Sequence, residues 1–311
     1  MTRPRGLMRS LQLCGSLMAL LASSSSAPAA QQQQVDLKLV LATDVSGSID
    51  NDELQLEREG TAGAFLDPDV IKAIQSGALG RIAVAMIDFS SPQFDKVVID
   101  WQIVHDKASA AAFAGAVHDL PRTPGRRTSV SSALELGSLL IEASEKDIVA
   151  TRKAIDVAGD GPNNDGNAMQ DVHDKTIAQG IVVNGLPIMD DQANGYYPDL
   201  DKYYAACVAG GRGSFVVVVH SYKDFEAAMR HKLILEISQN ETQIKQAMNE
   251  LTQKNLVVKA AAGPRVAQAG QGAQGAQGGA APQVLRAGPN EFSQHCDIAG
   301  GFGGFGGFGR F

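Results

Sequence analysis

A chain of 311 residues has room for one large or two small domains. Its hydrophobic fraction of 44% is ordinary for a globular protein, but the 33 glycines gather toward the C-terminus, so composition argues for one core with disordered ends. Removing residues 1–30, which hold Arg3, Arg5 and Arg9 and no acid, takes the formal charge from −7 to −10, arguing against nucleic acid and acidic membrane surfaces as partners.

Residues 1–30 read as a secretory signal: three arginines, an apolar middle at 11–22 and the small-residue site Ala27-Pro28-Ala29. A membrane anchor needs about 20 predominantly apolar residues, whereas this run is shorter and breaks into four serines, so cleavage and no later membrane insertion are expected. Cys14 is not read as a lipidation site, because bulky Leu13 precedes it. The expected location is periplasmic or extracellular.

Strand candidates follow at 37–43, 82–88, 95–101, 154–158, 181–187 and 215–219, with nearly continuous apolar faces that suit strands covered on both sides. Ser90, Ser91 and Pro92 separate the second from the third, which predicts a hairpin and one antiparallel edge. Helical stripes fill the gaps. Asp50 with Glu53 predicts a capping box opening a helix over 51–65. Ala112, Phe113, Ala116 and Val117 form one stripe, and Val130, Ala133, Leu134, Gly137, Leu140 and Ile141 form another just after Thr128. Met169, Val172, His173, Thr176 and Ile177 make a third. The alternation predicts a three-layer α/β sandwich, with a mostly parallel sheet and helices on both faces. Residues 222–258 are helix-compatible, the first half packing on the sheet and the second expected to project. The globular domain is placed at 31–240, a helical extension at 241–259 and a disordered Gly/Ala/Gln-rich and Phe-Gly-rich tail at 260–311.

The first strand candidate runs straight into Asp44-Val45-Ser46-Gly47-Ser48, where one carboxylate and two hydroxyls are presented within five residues. Hard oxygens in such a turn suit Mg²⁺, which prefers octahedral oxygen ligation and keeps some water in its shell. The pattern resembles the D-x-S-x-S signature of von Willebrand factor type A (vWA) domains, over roughly residues 35–240. That family takes a further Thr and Asp from two later loops at a metal-ion-dependent adhesion site. Thr128, before a helix, and Asp160, in Asp160-Gly161 after a strand, fill those places. The resemblance implies a vWA/Rossmann-like fold. It also implies that Asp44, Ser46, Ser48, Thr128 and Asp160 surround one Mg²⁺ or Mn²⁺, leaving a position for a partner's Asp or Glu carboxylate. Two stretches, Ile155-Asp156-Val157-Ala158-Gly159-Asp160-Gly161-Pro162-Asn163-Asn164 and Arg230-His231-Lys232-Leu233-Ile234-Leu235-Glu236-Ile237, look like a bacterial secreted branch whose function is uncharacterised.

Other features carry blander readings. The Asp/Asn/Gly-rich loop at 159–167 does not fit a calcium loop: with Gly166 as the turn glycine, Gly161 falls at the first ligand position and Val172 at the closing glutamate. It is read as the rim of the metal site. Asp88 and Asp100 read as solvated strand ends and His220 as a surface histidine, while the loop holding Asp190 and Asp191 is a candidate binding face. Cys207 and Cys296 either pair in an oxidising compartment or stay as two thiols. No G-x-S-x-G elbow, phosphate loop or H-E-x-x-H helix occurs. The expectation is an exported, non-enzymatic protein that binds a protein partner through the cation. The alternatives are a secreted metal-assisted hydrolase and an envelope or matrix component associating through its Phe-Gly tail.

Overall fold

The computed structural model describes residues 32–121, 125–189, 197–238, 241–253, 258–260 and 296. The signal segment, Asp190 and Asp191, and the tail apart from Ala260 and Cys296 lie outside the described residues.

Seven strands form one sheet in the order β3-β2-β1-β4-β5-β6-β7: β1 Gln33–Asp44, β2 Ile82–Phe89, β3 Lys96–Val104, β4 Ile148–Gly159, β5 Val182–Pro187, β6 Phe215–Val217 and β7 Val258–Ala260. Strands β2, β1, β4, β5 and β6 are mutually parallel. β3 joins β2 antiparallel, the hairpin that Ser90-Ser91-Pro92 predicts. β7 adds a second antiparallel edge at the other side. That three-residue strand has too little length to carry a sequence signal of its own.

Alternate residues of β1 build the two apolar layers. Leu37, Leu39 and Leu41 share a core with Phe65 of α1 (Asn51–Leu66), Ile74 of α2 (Pro68–Gln75), Phe113 of α3 (Lys107–His118) and Phe225 and Leu233 of α7 (Phe225–Ile237). Val40 and Ala42 face Leu134 of α4 (Val130–Ala143), Val172 of α5 (Met169–Ala178), and Leu200 of α6 (Leu200–Tyr203) with the π-helical turn Tyr204–Val208 that continues it. Helices therefore cover both faces of the sheet. β1 lies in the middle of it, buried from Val35 onward, so its C-terminal residue is delivered to the centre of the sheet's upper edge. Asp50 accepts from the Glu53 amide at 2.9 Å and Glu53 returns to the Asp50 amide at 2.8 Å, so the capping box starts α1 directly after the serine turn.

The helix-compatible run at 222–258 is interrupted. α7 ends at Ile237, where the Arg152 guanidinium of β4 donates to the Glu236 and Ile237 carbonyls at 2.6 and 3.1 Å, and Ser238 turns extended. α8 (Glu241–Gln253) then folds back, burying Ala247 and Leu251 in the α1/α7 core instead of projecting. Lys232 of α7 is fully buried and ion-paired with both Asp156 of β4 and, at 3.2 Å, Glu236 one turn on. Asn184 of β5 donates to Glu236 at 2.8 Å.

Burial, then repulsion from Asp156, pushes the Glu236 carboxyl up to about 8, against the Lys232 charge. A carboxyl whose folded pKa is raised holds an extra proton in the folded state between its unfolded and folded values. Its contribution therefore turns unfavourable as pH climbs through that window and levels off above pH 8. The thermal midpoint is expected to fall between pH 6.5 and pH 8.5, and Glu236→Gln to flatten that slope. Parallel profiles for the two proteins in scanning calorimetry would refute the assignment.

Candidate metal centre

The turn after β1 is built by its own first side chain. Asp44 Oδ1 accepts from the Ser46 amide at 2.8 Å, an Asx turn that leaves the second carboxylate oxygen uncommitted. Val45, Ile49 and Leu54 pack into a small apolar cluster that pins the turn, so the Ser46 and Ser48 hydroxyls come to lie 3.1 Å apart. Ser48 Oγ donates to Asp160 Oδ1 at 2.8 Å, which brings the end of β4 to the end of β1. Gly159 allows that approach: a Cβ there would sit 2.9 Å from both Asp44 Cβ and Asp44 Oδ2.

Thr128 arrives from the loop before α4. The Gly125 amide bonds to Val45 O at 3.0 Å and the Ser129 amide to Ser90 O at 2.8 Å, tying this loop to the ends of β1 and β2. Asn164 clasps Thr128 from the other side: its Oδ1 accepts from the Thr128 amide at 3.0 Å, and its own amide donates to Thr128 O at 2.8 Å. The Thr128 hydroxyl falls within hydrogen-bonding range of the Asp44 carboxyl. A Cβ on Gly161 would lie 3.3 Å from Thr128 Oγ1, so the Asp160 loop closes over the same point. The five predicted residues thus converge from three loops at the C-terminal ends of parallel strands, where ligands bind in open α/β sheets.

Asp44 is 0% exposed, Ser46 1%, Thr128 3% and Asp160 5%, whereas Ser48 is exposed, so the cluster opens to solvent on the Ser48 side. Burial pushes the Asp44 carboxyl well above the usual carboxylate range, and repulsion from Asp160 adds to it, against hydrogen bonds from Ser46 and Thr128. Asp160 is raised by burial as well, opposed by the Ser48 hydroxyl. Asp44 Oδ2 is buried with no hydrogen bond of ordinary geometry. Two buried acids side by side, one with an unmet oxygen, are costly when ionised and fit a divalent cation, which offsets the repulsion and fills the open acceptor. Among the described residues no three His, Cys, Asp or Glu side chains gather in ligating range, so any such ion depends on the hydroxyls as well as the two acids. An all-oxygen set of this kind suits Mg²⁺ or Mn²⁺.

A family profile described as "Protein of unknown function (DUF1194)" matches residues 34–241. The chain belongs to the DUF1194 family. No curated protein matches this DUF1194 chain. Among solved structures it is similar to proximal thread matrix protein 1 from the mussel byssus, with 17% identity over 65% of this chain and 48% of that one and a TM-score of 0.46. It is also similar to the pilus adhesin SpaC of Lactobacillus rhamnosus GG, with 16% identity over 66% of this chain and 32% of that one and a TM-score of 0.47. A further structure of the mussel protein, described with a zinc-occupied MIDAS motif, has 16% identity over 66% of this chain and 48% of that one and a TM-score of 0.46. The DUF1194 chain thus spans about half or less of these proteins' lengths, and the likenesses concern architecture alone.

Several side chains near the site differ from their sequence reading or were not singled out by it. Asp88 is not a solvated strand end: it is fully buried and accepts from Arg58 Nη2 of α1 at 2.9 Å, while burial still raises its carboxyl to about 6. Asp100 is exposed as read but lies mid-way along β3, not at a strand end, and His220 is exposed as read. Glu57, one residue before Arg58, is fully buried with neither carboxylate oxygen hydrogen-bonded; burial and then Asp44 and Asp88 push it well above its usual range. The signal for Glu57 lay in the spacing, because a charged residue three positions after Leu54 falls on the helix's inward face. The loop at 159–167 does more than form a rim. Asn163 Oδ1 holds the Ser131 amide at 2.9 Å, so Asn163 and Asn164 together set the start of α4.

Proposed function

We propose that this protein is exported and binds a protein partner through a divalent cation, Mg²⁺ or Mn²⁺, held by Asp44, Ser46, Ser48, Thr128 and Asp160. The observation that carries the reading is the convergence of these five side chains on a point where buried Asp44 Oδ2 has no hydrogen bond of ordinary geometry. When bound, the cation supplies a positive centre that accepts a carboxylate from outside. Asp44 and Asp160 bring two negative charges, and the three hydroxyls complete the donor set without adding charge, so attraction for an incoming acid is preserved. The Ser46 amide fixes the Asp44 carboxylate, and exposed Ser48 stands at the entrance. The Cys207–Cys296 disulfide supports export, since such bonds persist in oxidising compartments. Among the described residues no helix is long and apolar enough to cross a membrane.

The protein is proposed to lack turnover of its own. Of the nearest acids, Asp88 is paired with Arg58, and Glu57 is sealed from solvent on the inward face of α1. Calorimetry on chelator-stripped protein is expected to give one Mg²⁺ per chain, and retention of a partner from the source organism's envelope fraction is expected to require that ion. Retention that survives EDTA, or no Mg²⁺ binding at millimolar concentration, would overturn the reading. Hydrolysis of esters, phosphates or peptides, lost on chelation, would replace it with the hydrolase.

A further inference from the structure

The turn that carries Cys207 also reaches the metal centre. Cys207 lies in the π-helical turn Tyr204–Val208 and is bonded to Cys296, 89 positions away in sequence. Tyr203, at the end of α6, donates its hydroxyl to the Cys296 carbonyl at 3.2 Å and accepts from the Asn163 amide at 3.2 Å. Tyr203, Asn163, Cys207 and Cys296 are each at most 5% exposed, so this chain of contacts runs through the interior. Asn163 and Asn164 in turn hold the Ser131 and Thr128 amides. The neighbouring Tyr204 hydroxyl would lie 3.0 Å from a Cβ on Gly159, against the same glycine face that Asp44 Oδ2 approaches at 2.9 Å.

We propose that Tyr203 and the Cys207–Cys296 disulfide are positioning elements of the metal centre, acting through Asn163 and Asn164 on Thr128. The inference rests on the cation-binding reading. It adds that the centre is completed by a covalent tie from outside the segment 34–241 that defines the family match, because Cys296 lies beyond it. The physical basis is the cost of an unmet buried donor. Without the phenol oxygen the Asn163 amide has no acceptor in a sealed setting, and the loop must shift to find one. The disulfide tethers the Cys296 carbonyl beside Tyr203, and cutting it loosens the acceptor that orients the Tyr203 hydroxyl.

The test uses the full chain with Tyr203→Phe, which keeps the ring, and separately Cys207→Ser/Cys296→Ser. Titration with Mg²⁺ alone is expected to show binding about three- to tenfold weaker in each variant, the effect of one buried hydrogen bond. In metal-free protein, exchange of the Thr128 and Asn164 amides is expected to quicken while that of central β2 amides such as Val84 stays unchanged. Unaltered Mg²⁺ affinity with unaltered exchange would overturn the positioning role, and so would acceleration of β2 to the same degree, which marks general loosening. Selective acceleration at Thr128 and Asn164 in a protein whose wild type binds no Mg²⁺ would overturn the cation reading and leave the relay standing.

Discussion

Asp44→Ala is expected to abolish Mg²⁺ binding, and Asp160→Ala to do the same, while both variants keep the wild-type fold. Each substitution removes one of the two charges that hold a divalent ion in a site whose other donors are neutral. Losing a buried, charged partner costs about 3–5 kcal/mol, which at about 1.4 kcal/mol per tenfold weakens binding at least about a hundredfold. Ser46→Ala and Thr128→Ala remove only neutral donors and are expected to weaken binding by about tenfold each, in line with hydrogen bonds to charged groups. The fold tolerates the acid substitutions for the reason that the site needs a cation. Burial holds Asp44 and Asp160 above their ordinary range, and repulsion from Asp160 adds to the rise of Asp44, so in metal-free protein at neutral pH their ionised forms oppose folding. Metal-free Asp44→Ala is therefore expected to melt no lower than wild type, and to lose the rise in melting temperature that Mg²⁺ gives the wild type. Calorimetry with unchanged Mg²⁺ affinity in both alanine variants would remove the basis of the proposed function.

Much of this arrangement is legible before any coordinates. The strands announce themselves as apolar runs, and the order strand, turn, helix places Asp44 and Asp160 at strand ends because parallel strands with helical crossovers put their loops there. Thr128 instead follows α3, not a strand, and reaches those ends through the backbone bonds of its loop to Val45 and Ser90. The Asp50/Glu53 box is local chemistry and forms as read. What stays hidden depends on groups distant in sequence. Asp88 at the end of an apolar strand looks the same whether it meets water or Arg58, and only the packing of α1 over β2 decides. The break after Ile237 is invisible in a helix-compatible run, because the groups that cap it belong to Arg152. The Cys207–Cys296 pairing lay open for the same reason, since spacing alone does not fix connectivity. Asn163 and Asn164 were legible as a polar loop, but their grip on Thr128 and Ser131 required both loops in place.

Two stretches far apart in sequence, 155–157 in β4 and 230–236 in α7, touch each other, and the contact predicts a large loss of stability when it is broken. Ile155-Asp156-Val157 supplies a carboxylate from the middle of the sheet, and Arg230-His231-Lys232 with Glu236 supplies, from α7, the cation and second acid that meet it. Lys232 is 0% exposed, Asp156 3% and Glu236 6%, so the three form a buried cluster with one positive charge between two acids. Lys232→Met keeps the length and apolar stem of the side chain but strands the Asp156 carboxylate beside the Glu236 carboxyl in the interior, at an expected cost of about 3–5 kcal/mol. The triple variant Lys232→Met, Asp156→Val, Glu236→Leu removes the acids too and is expected to recover most of that loss, because a buried ion cluster adds little net stability over well-packed apolar groups. Asn184 sets the limit of the recovery: its amide, which donates to Glu236 at 2.8 Å, is left without an acceptor there. Denaturant unfolding would separate the outcomes. A single variant within about 1 kcal/mol of wild type would mean the cluster is not closed to water, and a triple variant no more stable than the single one would mean that its geometry, not its charge balance, holds α7 on the sheet.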